Sequence, residues 1–140
     1  YVPQRIFLID DSLASNIAMG IDKNKIDKNR LKKCIDLANL RDLIKSTELE
    51  KIQIKEQGQN LSGGQIQCIG LARALYRDPK ILIFDEPTNN IDMYTKNRFI
   101  KNLKRMANSK ICIIVTHDNE LIQNCDKNII INNQKLNEQK

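Results

Sequence analysis

The chain has 140 residues, 41% of them hydrophobic and 29% charged, which suffices for one domain with a real core and excludes a globally disordered polymer. Its 23 Lys and Arg against 17 Asp and Glu leave a net charge of +6, compatible with nucleotide phosphates, an anionic lipid surface or nucleic acid. The longest apolar runs, Ile81 to Phe84 and Ile111 to Val115, are far shorter than the roughly 18 residues of a membrane span, and no stretch of these 140 residues reads as a signal peptide.

The basic residues do not form a track. Lys23, Lys25, Lys28, Arg30, Lys32 and Lys33 come as singles and pairs among acids, with almost no aromatics beside them, as on a solvated helical face. No nucleic-acid partner is expected from them. Cys34, Cys68, Cys112 and Cys125 are scattered without a C-x-x-C pair, and three sit within apolar patterns. They read as buried free thiols of a reducing compartment. The first residue is Tyr1, so the chain is expected to be a piece of a longer protein.

In chain order, Tyr1 to Ile9 reads as a short strand broken at Pro3 and then an apolar loop. Asp11-Ser12 can cap a short helix through Met19, stopped by Gly20. Leu31, Cys34, Ile35 and Ala38 keep helical spacing and predict an amphipathic helix over Asp27 to Leu40, with a further helical turn over Arg41 to Thr47. Glu48 to Asn60 reads as a polar connector. Ser62 is a candidate N-cap for a helix to about Tyr76, which Asp78-Pro79 ends.

After Pro79 apolar runs alternate with helical patterns, which is how a parallel sheet with crossovers is written. Ile81 to Phe84 and Ile111 to Val115 are predicted as strands buried on both faces, with a helix over Asp92 to Met106 between them. A short helix over Asp118 to Cys125 and a strand over Asn128 to Ile131 precede a polar tail, Asn132 to Lys140.

Two features carry chemistry. Leu61-Ser62-Gly63-Gly64-Gln65 opens a helix with vicinal glycines, which offers backbone N–H groups and the positive end of the helix dipole to an anion, phosphate above all. The two apolar strands end in Asp85-Glu86 and Thr116-His117, and in a parallel sheet those ends point the same way, where ligands of open α/β folds collect. Asp85 could hold a divalent cation and Glu86 accept a proton from water. A plainer role for both acids is to cap the turn at Pro87, and a glycine turn with a serine cap would serve the pentapeptide equally.

The conjunction in one order is more specific than either part, and it resembles the ATP-binding cassette (ABC) ATPases over nearly the whole chain. Leu61 to Gln65 looks like the family's signature sequence and Ile81 to Glu86 like its Walker B strand. Asn89-Asn90-Ile91-Asp92 resembles the D-loop, His117 the switch histidine, and Gln4 in Val2-Pro3-Gln4 the Q-loop glutamine. The resemblance implies an α/β fold, a P-loop NTPase (RecA-like) parallel sheet with an α-helical subdomain, truncated before the Q-loop. Residues 1–9 and 79–131 would belong to the RecA-like core and about 10–78 to the helical signature subdomain.

It also implies roles and cofactors, ATP and Mg2+. Gln4 would contact magnesium and the attacking water, Asp85 would support magnesium, Glu86 would be the general base and His117 would hold the γ-phosphate. Ser62, Gly63, Gly64 and Gln65 would bind the γ-phosphate of ATP carried by a second nucleotide-binding domain, homo- or heterodimeric, with Asp92 at that interface. The chain departs from the pattern at Ile66 and Cys68, where the family commonly has basic residues, and at Asn89-Asn90, where Ser-Ala is usual. Glu86 is kept, which disfavours a non-hydrolysing site. No G-x-x-x-x-G-K-[ST] occurs in the sequence, so the 140 residues alone are expected to be inactive.

Residues 4 to 20 and Glu56-Gln57-Gly58 look like the exporter-type stretches that face the membrane domain. Residues 6–19 and 54–58 are therefore expected to dock on intracellular loops of a transmembrane domain of the same or a partner chain, at the cytoplasmic face of a cell membrane. The expected branch is a lipid or oligosaccharide flippase or a multidrug-exporter-like protein. A soluble ABC ATPase acting on nucleic acid or ribosomes, supported only by the positive charge, and a non-catalytic nucleotide-sensing module are the alternatives.

Overall fold

A computed structural model describes residues 1–41, 52–89, 91–132 and 135–139. The helical turn expected after Arg41, the first part of the connector and Asn90 of the D-loop lie outside the described residues.

Local chemistry sets the first half. Ser12, not Asp11, caps helix α1 (Leu13–Ile17), its hydroxyl accepting from Ser15 N at 3.1 Å. All five α1 residues are buried, and the helix ends two residues before the expected Met19. Asp27 caps α2 (Lys28–Leu37) by accepting from Asn29 N and Arg30 N at 2.9 and 3.0 Å. The stripe Leu31, Cys34 and Ile35, continued by Ala38, is buried as the spacing predicts.

Both helices pack on α3 (Gly63–Tyr76), whose Ile69, Leu71, Ala72, Leu75 and Tyr76 are buried on several sides, the mark of a central helix. Arg73 reaches from α3 to Asn16 O at 2.8 Å and Phe7 O at 2.9 Å, which ties the apolar loop to the helix. Asn16, fully buried, answers both polar groups of Ile9: it accepts from the N–H and donates to the carbonyl, each at 3.0 Å.

The polar connector needs correction. It contains strand β2 (Gln53–Ile54), which pairs antiparallel with β1 (Asp11–Ser12), and a tight helical turn over Glu56–Gly58. Pairs of two residues have no hydrophobic period to read. Gly58 sits at φ +74°, and a Cβ there would lie 2.8 Å from Leu8 Cδ1, so the turn seats directly on the buried loop.

The second half is a parallel pair, β3 (Ile81–Asp85) and β4 (Ile111–Val115), aligned from Ile81 opposite Ile111 to Asp85 opposite Val115. Val2 extends it on the far side of β3, donating to Ile83 O at 2.8 Å and accepting from Asp85 N at 3.0 Å. The crossover helix α4 (Met93–Ala107) buries Phe99, Ile100, Leu103 and Met106, and Phe99 meets Phe84 edge-on at 5.7 Å between ring centres.

Burial on both faces, expected for these strands, is not found. Leu82 and Phe84 are fully buried, but Ile81, Ile83, Ile111, Ile113 and Val115 are 39–61% exposed, because α4 covers one face only. Helix α5 (Asn119–Gln123) follows Asp118, and β5 (Asn128–Asn132) pairs with β6 (Lys135–Gln139). The stretch expected as a polar tail, 132–140, thus carries a strand despite its polar composition. All four thiols are free, with Cys34 and Cys68 buried and Cys112 and Cys125 half-buried.

Candidate functional site

The ladder between β3 and β4 ends at Glu86, whose N–H donates to Val115 O at 2.9 Å. The chain then turns, with Glu86 at φ +45° and Asn89 N donating back to Glu86 O at 3.1 Å. This unusual backbone aims the carboxylate along the strand end. His117 Nδ1 lies 2.7 Å from Glu86 Oε1, and Thr116 Oγ1 donates to Oε2 at 3.4 Å. The imidazole is 82% exposed and the Glu86 side chain 20%, so a half-shielded base stands beside an open ring. Such a pair can take a proton from water and orient an anion from the solvent side.

Asp85, one residue earlier, is half-buried and accepts from the Tyr1 hydroxyl at 2.8 Å; that bond to a carboxylate pushes the phenol above its ordinary range. Tyr1 was not anticipated from sequence, since only the folded sheet brings it to Asp85. Gln4 is exposed, and its backbone carbonyl accepts from Gln67 Nε2 at 2.9 Å. Among the described residues no hydrogen bond joins the Gln4 amide to Glu86 or His117, so of these three the structure joins only Glu86 and His117.

The glycine pentapeptide makes a separate site. Ser62 and Gln65 close a reciprocal cap: Ser62 Oγ accepts from Gln65 N at 3.2 Å and Gln65 Oε1 accepts from Ser62 N at 2.9 Å. Ile66 N donates to Ser62 O at 3.0 Å. Among the described residues no acceptor takes the N–H groups of Gly63 and Gly64, the orphan donors of the helix start. Ser62, Gly64 and Gln65 share a cleft of about 220 Å³ with Asp92, Tyr94, Thr95 and Arg98 of the α4 start. Neither Glu86 nor His117 lines it.

Asp92 caps α4, accepting from Thr95 Oγ1 at 2.6 Å and Thr95 N at 2.9 Å, and these bonds hold its carboxyl below the usual range. A Cβ on Gly64 would stand 3.0 Å from Thr95 Cγ2, so glycine sets how closely α3 and α4 approach. Cys68 fills one of the positions where the family resemblance led to a basic residue; burial pushes its thiol up to about 11. Positive charge enters the cleft instead from Arg98, which stacks on Tyr94 at 5.4 Å. No spacing rule would have linked Arg98 to the pentapeptide, because the two lie on different helices.

Comparison with known proteins accords with these features. The sequence profile described as "ABC transporter" matches residues 1–89. The ATP-dependent lipid A-core flippase 2 of Colwellia psychrerythraea is 38% identical over 140 residues, 99% of this chain and 24% of that protein. ATP-binding cassette sub-family B member 5 of Homo sapiens is 34% identical over 139 residues, 99% of this chain and 11% of that protein. The chain therefore spans about a quarter or less of these relatives. A solved structure of a bacterial Atm1-family ABC exporter with ATP bound superposes with a TM-score of 0.84 at 28% identity, over 98% of this chain and 24% of that one. The fold is that of an ABC exporter nucleotide-binding domain, of the P-loop NTPase class. With the paired strand ends, the glycine-opened helix and these likenesses in agreement, the chain belongs to the ABC transporter family.

Proposed function

We propose that this chain is part of the ATP-hydrolysing domain of a membrane exporter and contributes to two nucleotide sites. The observation that carries the reading is the 2.7 Å approach of His117 to Glu86 at the end of a parallel strand. Glu86 takes the proton of the attacking water, and His117 holds the γ-phosphate from the exposed side. The free amides of Gly63 and Gly64, with Ser62 and Gln65 fixing the turn, meet the γ-phosphate of a nucleotide bound by a second domain, and Asp92 lies on that interface. Closure of the two domains excludes water and aligns the reacting atoms.

The donors at the sheet end fit magnesium held mainly by phosphate. Among the described residues no cluster of three His, Cys, Asp or Glu could cage a metal ion, whereas Mg2+ commonly uses one or two carboxylates, waters and substrate phosphates. Asp85 supplies the carboxylate, and the Gln4 amide would offer a further oxygen. Bound Mg2+ would neutralise charge on the phosphate oxygens.

Glu86→Gln in the full-length protein tests the reading: turnover of ATP is expected to fall by about 10²–10⁴-fold with ATP affinity retained. Normal turnover by Glu86→Gln would refute it. The 140-residue chain by itself, lacking the lysine-bearing phosphate loop, is expected to show neither tight ATP binding nor hydrolysis.

The exporter assignment rests on the stretch after Gln4 and on the turn before the signature. Most of its apolar content is core, since Leu8, Leu13, Ile17 and Ile54 are buried, but Phe7 is 66% exposed and Gln57 is exposed as well. Phe7 and Gln57, rather than Leu8, are the groups able to touch a transmembrane domain at the cytoplasmic membrane face. Cysteines at these two positions are expected to crosslink to the membrane domain's intracellular loops. The likeness to proteins named lipid A-core flippases favours a lipid or lipid-linked glycan as cargo.

A further inference from the structure

Lys96 stands one turn into α4, yet its side chain is only 15% exposed, an uncommon setting for lysine. Its ammonium lies 2.7 Å from Asp118 Oδ2, 2.9 Å from Asp118 Oδ1 and 2.8 Å from Glu120 Oε2. Asp118 follows His117 directly. The same carboxylate accepts from Thr88 Oγ1 at 3.1 Å, and Thr88, buried, follows Glu86 by two residues. Asp118, held in place by the α4 cation, thereby joins the turn that carries Glu86, through Thr88, to the loop that carries His117.

Helix capping does not account for this arrangement. Capping of α5 uses Asp118 Oδ1, which accepts from Glu120 N at 2.9 Å and Leu121 N at 3.4 Å, whereas Thr88 bonds the other oxygen. The backbone leaves the two loops otherwise untied. Past Glu86 N to Val115 O, no backbone hydrogen bond joins residues 86–89 to residues 116–118 among the described residues. Their separation is set by side chains. The charges support the geometry: Asp118 and Glu120 hold the Lys96 ammonium above its ordinary range, and although burial raises the Asp118 carboxyl, the hydrogen bonds from Lys96, Thr88 and the N–H groups of Glu120 and Leu121 together keep it below its own.

We infer that Lys96, Asp118 and Thr88 form a clamp that fixes the Glu86 turn and the His117 loop at the separation where base and imidazole meet. They are positioning residues, and the inference rests on the hydrolytic reading given above. Loss of the ammonium leaves two carboxylates facing each other; Asp118 turns to solvent and Thr88 loses its acceptor. A base displaced by a fraction of an ångström still binds nucleotide but serves the transition state poorly.

The test compares ATP turnover by the full-length protein with Lys96→Met, Lys96→Arg, Thr88→Val and Glu86→Gln. Lys96→Met and Thr88→Val are expected to lower kcat by about tenfold or more while KM for ATP stays within about twofold. Lys96→Arg should recover most of the rate, since a guanidinium can bridge the same carboxylates. If Lys96→Met does not fold, Thr88→Val, which removes one hydroxyl at nearly constant shape, decides alone. Wild-type kcat in the folded clamp variants, or a loss confined to KM, overturns the clamp. With Glu86→Gln inactive, that result leaves the hydrolytic reading standing; normal turnover by Glu86→Gln removes both.

Discussion

Glu86 is held at φ +45°, a conformation that costs an L residue about 1–2 kcal/mol relative to the right-handed region. The strain is local and buys the direction of one carboxylate. Glu86→Gly is therefore expected to keep the melting temperature of the full-length protein, or raise its stability by up to about 1 kcal/mol, while abolishing turnover. A melting temperature lowered by several degrees would show that the contact with His117, not the backbone, dominates at this position. Gly64 obeys a different constraint. Its missing Cβ faces Thr95 Cγ2 at 3.0 Å, and Thr95 cannot swing away cheaply because both its hydroxyl and its N–H are bonded to Asp92. Gly64→Ala should push α4 from α3, widen the cleft and reduce ATP turnover about tenfold, by misplacing the amides rather than by blocking them. Thr95→Ser in the same chain removes the crowding methyl and keeps the bond to Asp92, so partial recovery of rate in the double variant is the expected result. No recovery would mean that the added methyl meets the nucleotide itself.

Elements start where a side chain can cap them. Ser12, Asp27, Ser62, Asp92 and Asp118 each accept from backbone N–H groups at a helix start. This is why the sequence located α2, α3, α4 and α5 so closely: a cap and a periodic stripe are both local signals. The pairing of Asp11–Ser12 with Gln53–Ile54 was illegible, because two residues carry no period and their partners are distant in sequence. The caps also impose a pH dependence. The carboxyls of Asp27, Asp92 and Asp118 are held below their ordinary range by hydrogen bonds that favour the charged form, and at Asp118 this prevails over burial. A depressed folded pKa means stability that is present above the unfolded value of about 3.9 and is lost as pH falls through the folded one. Asp118→Asn keeps a capping oxygen without the charge. Its melting temperature should lie below that of the wild type at neutral pH, and the gap should close as pH drops under about 4. A gap independent of pH would rule out a contribution from the carboxylate's titration.

At the scale of the molecule, the strand ends and the glycine helix occupy separate surfaces, and their separation explains why no single stretch of sequence displays the whole site. The resemblance to the family implies that Gln4, Asp85, Glu86 and His117 act together. The fold brings Glu86 to His117 and adds Tyr1, Thr88 and Lys96, which have no motif because their partners come from other elements. The apolar runs of β3 and β4 predict burial on both faces, yet Ile81, Ile83, Ile111, Ile113 and Val115 present one continuous apolar face on adjacent paired strands. A surface of this kind favours burial by any apolar partner available. The 140-residue chain on its own is therefore expected to bind an apolar dye and to elute as oligomers, whereas Ile111→Lys with Val115→Lys should elute nearer the monomer with weaker dye binding. The exposed face of β4 offers room for lysine, so the variant should keep its parallel pairing with β3. Introduced into the full-length protein, the same two lysines should instead lower the melting temperature, since there the apolar run would have to be covered. A monomeric, dye-free wild-type chain would show that the five side chains find burial within the 140 residues.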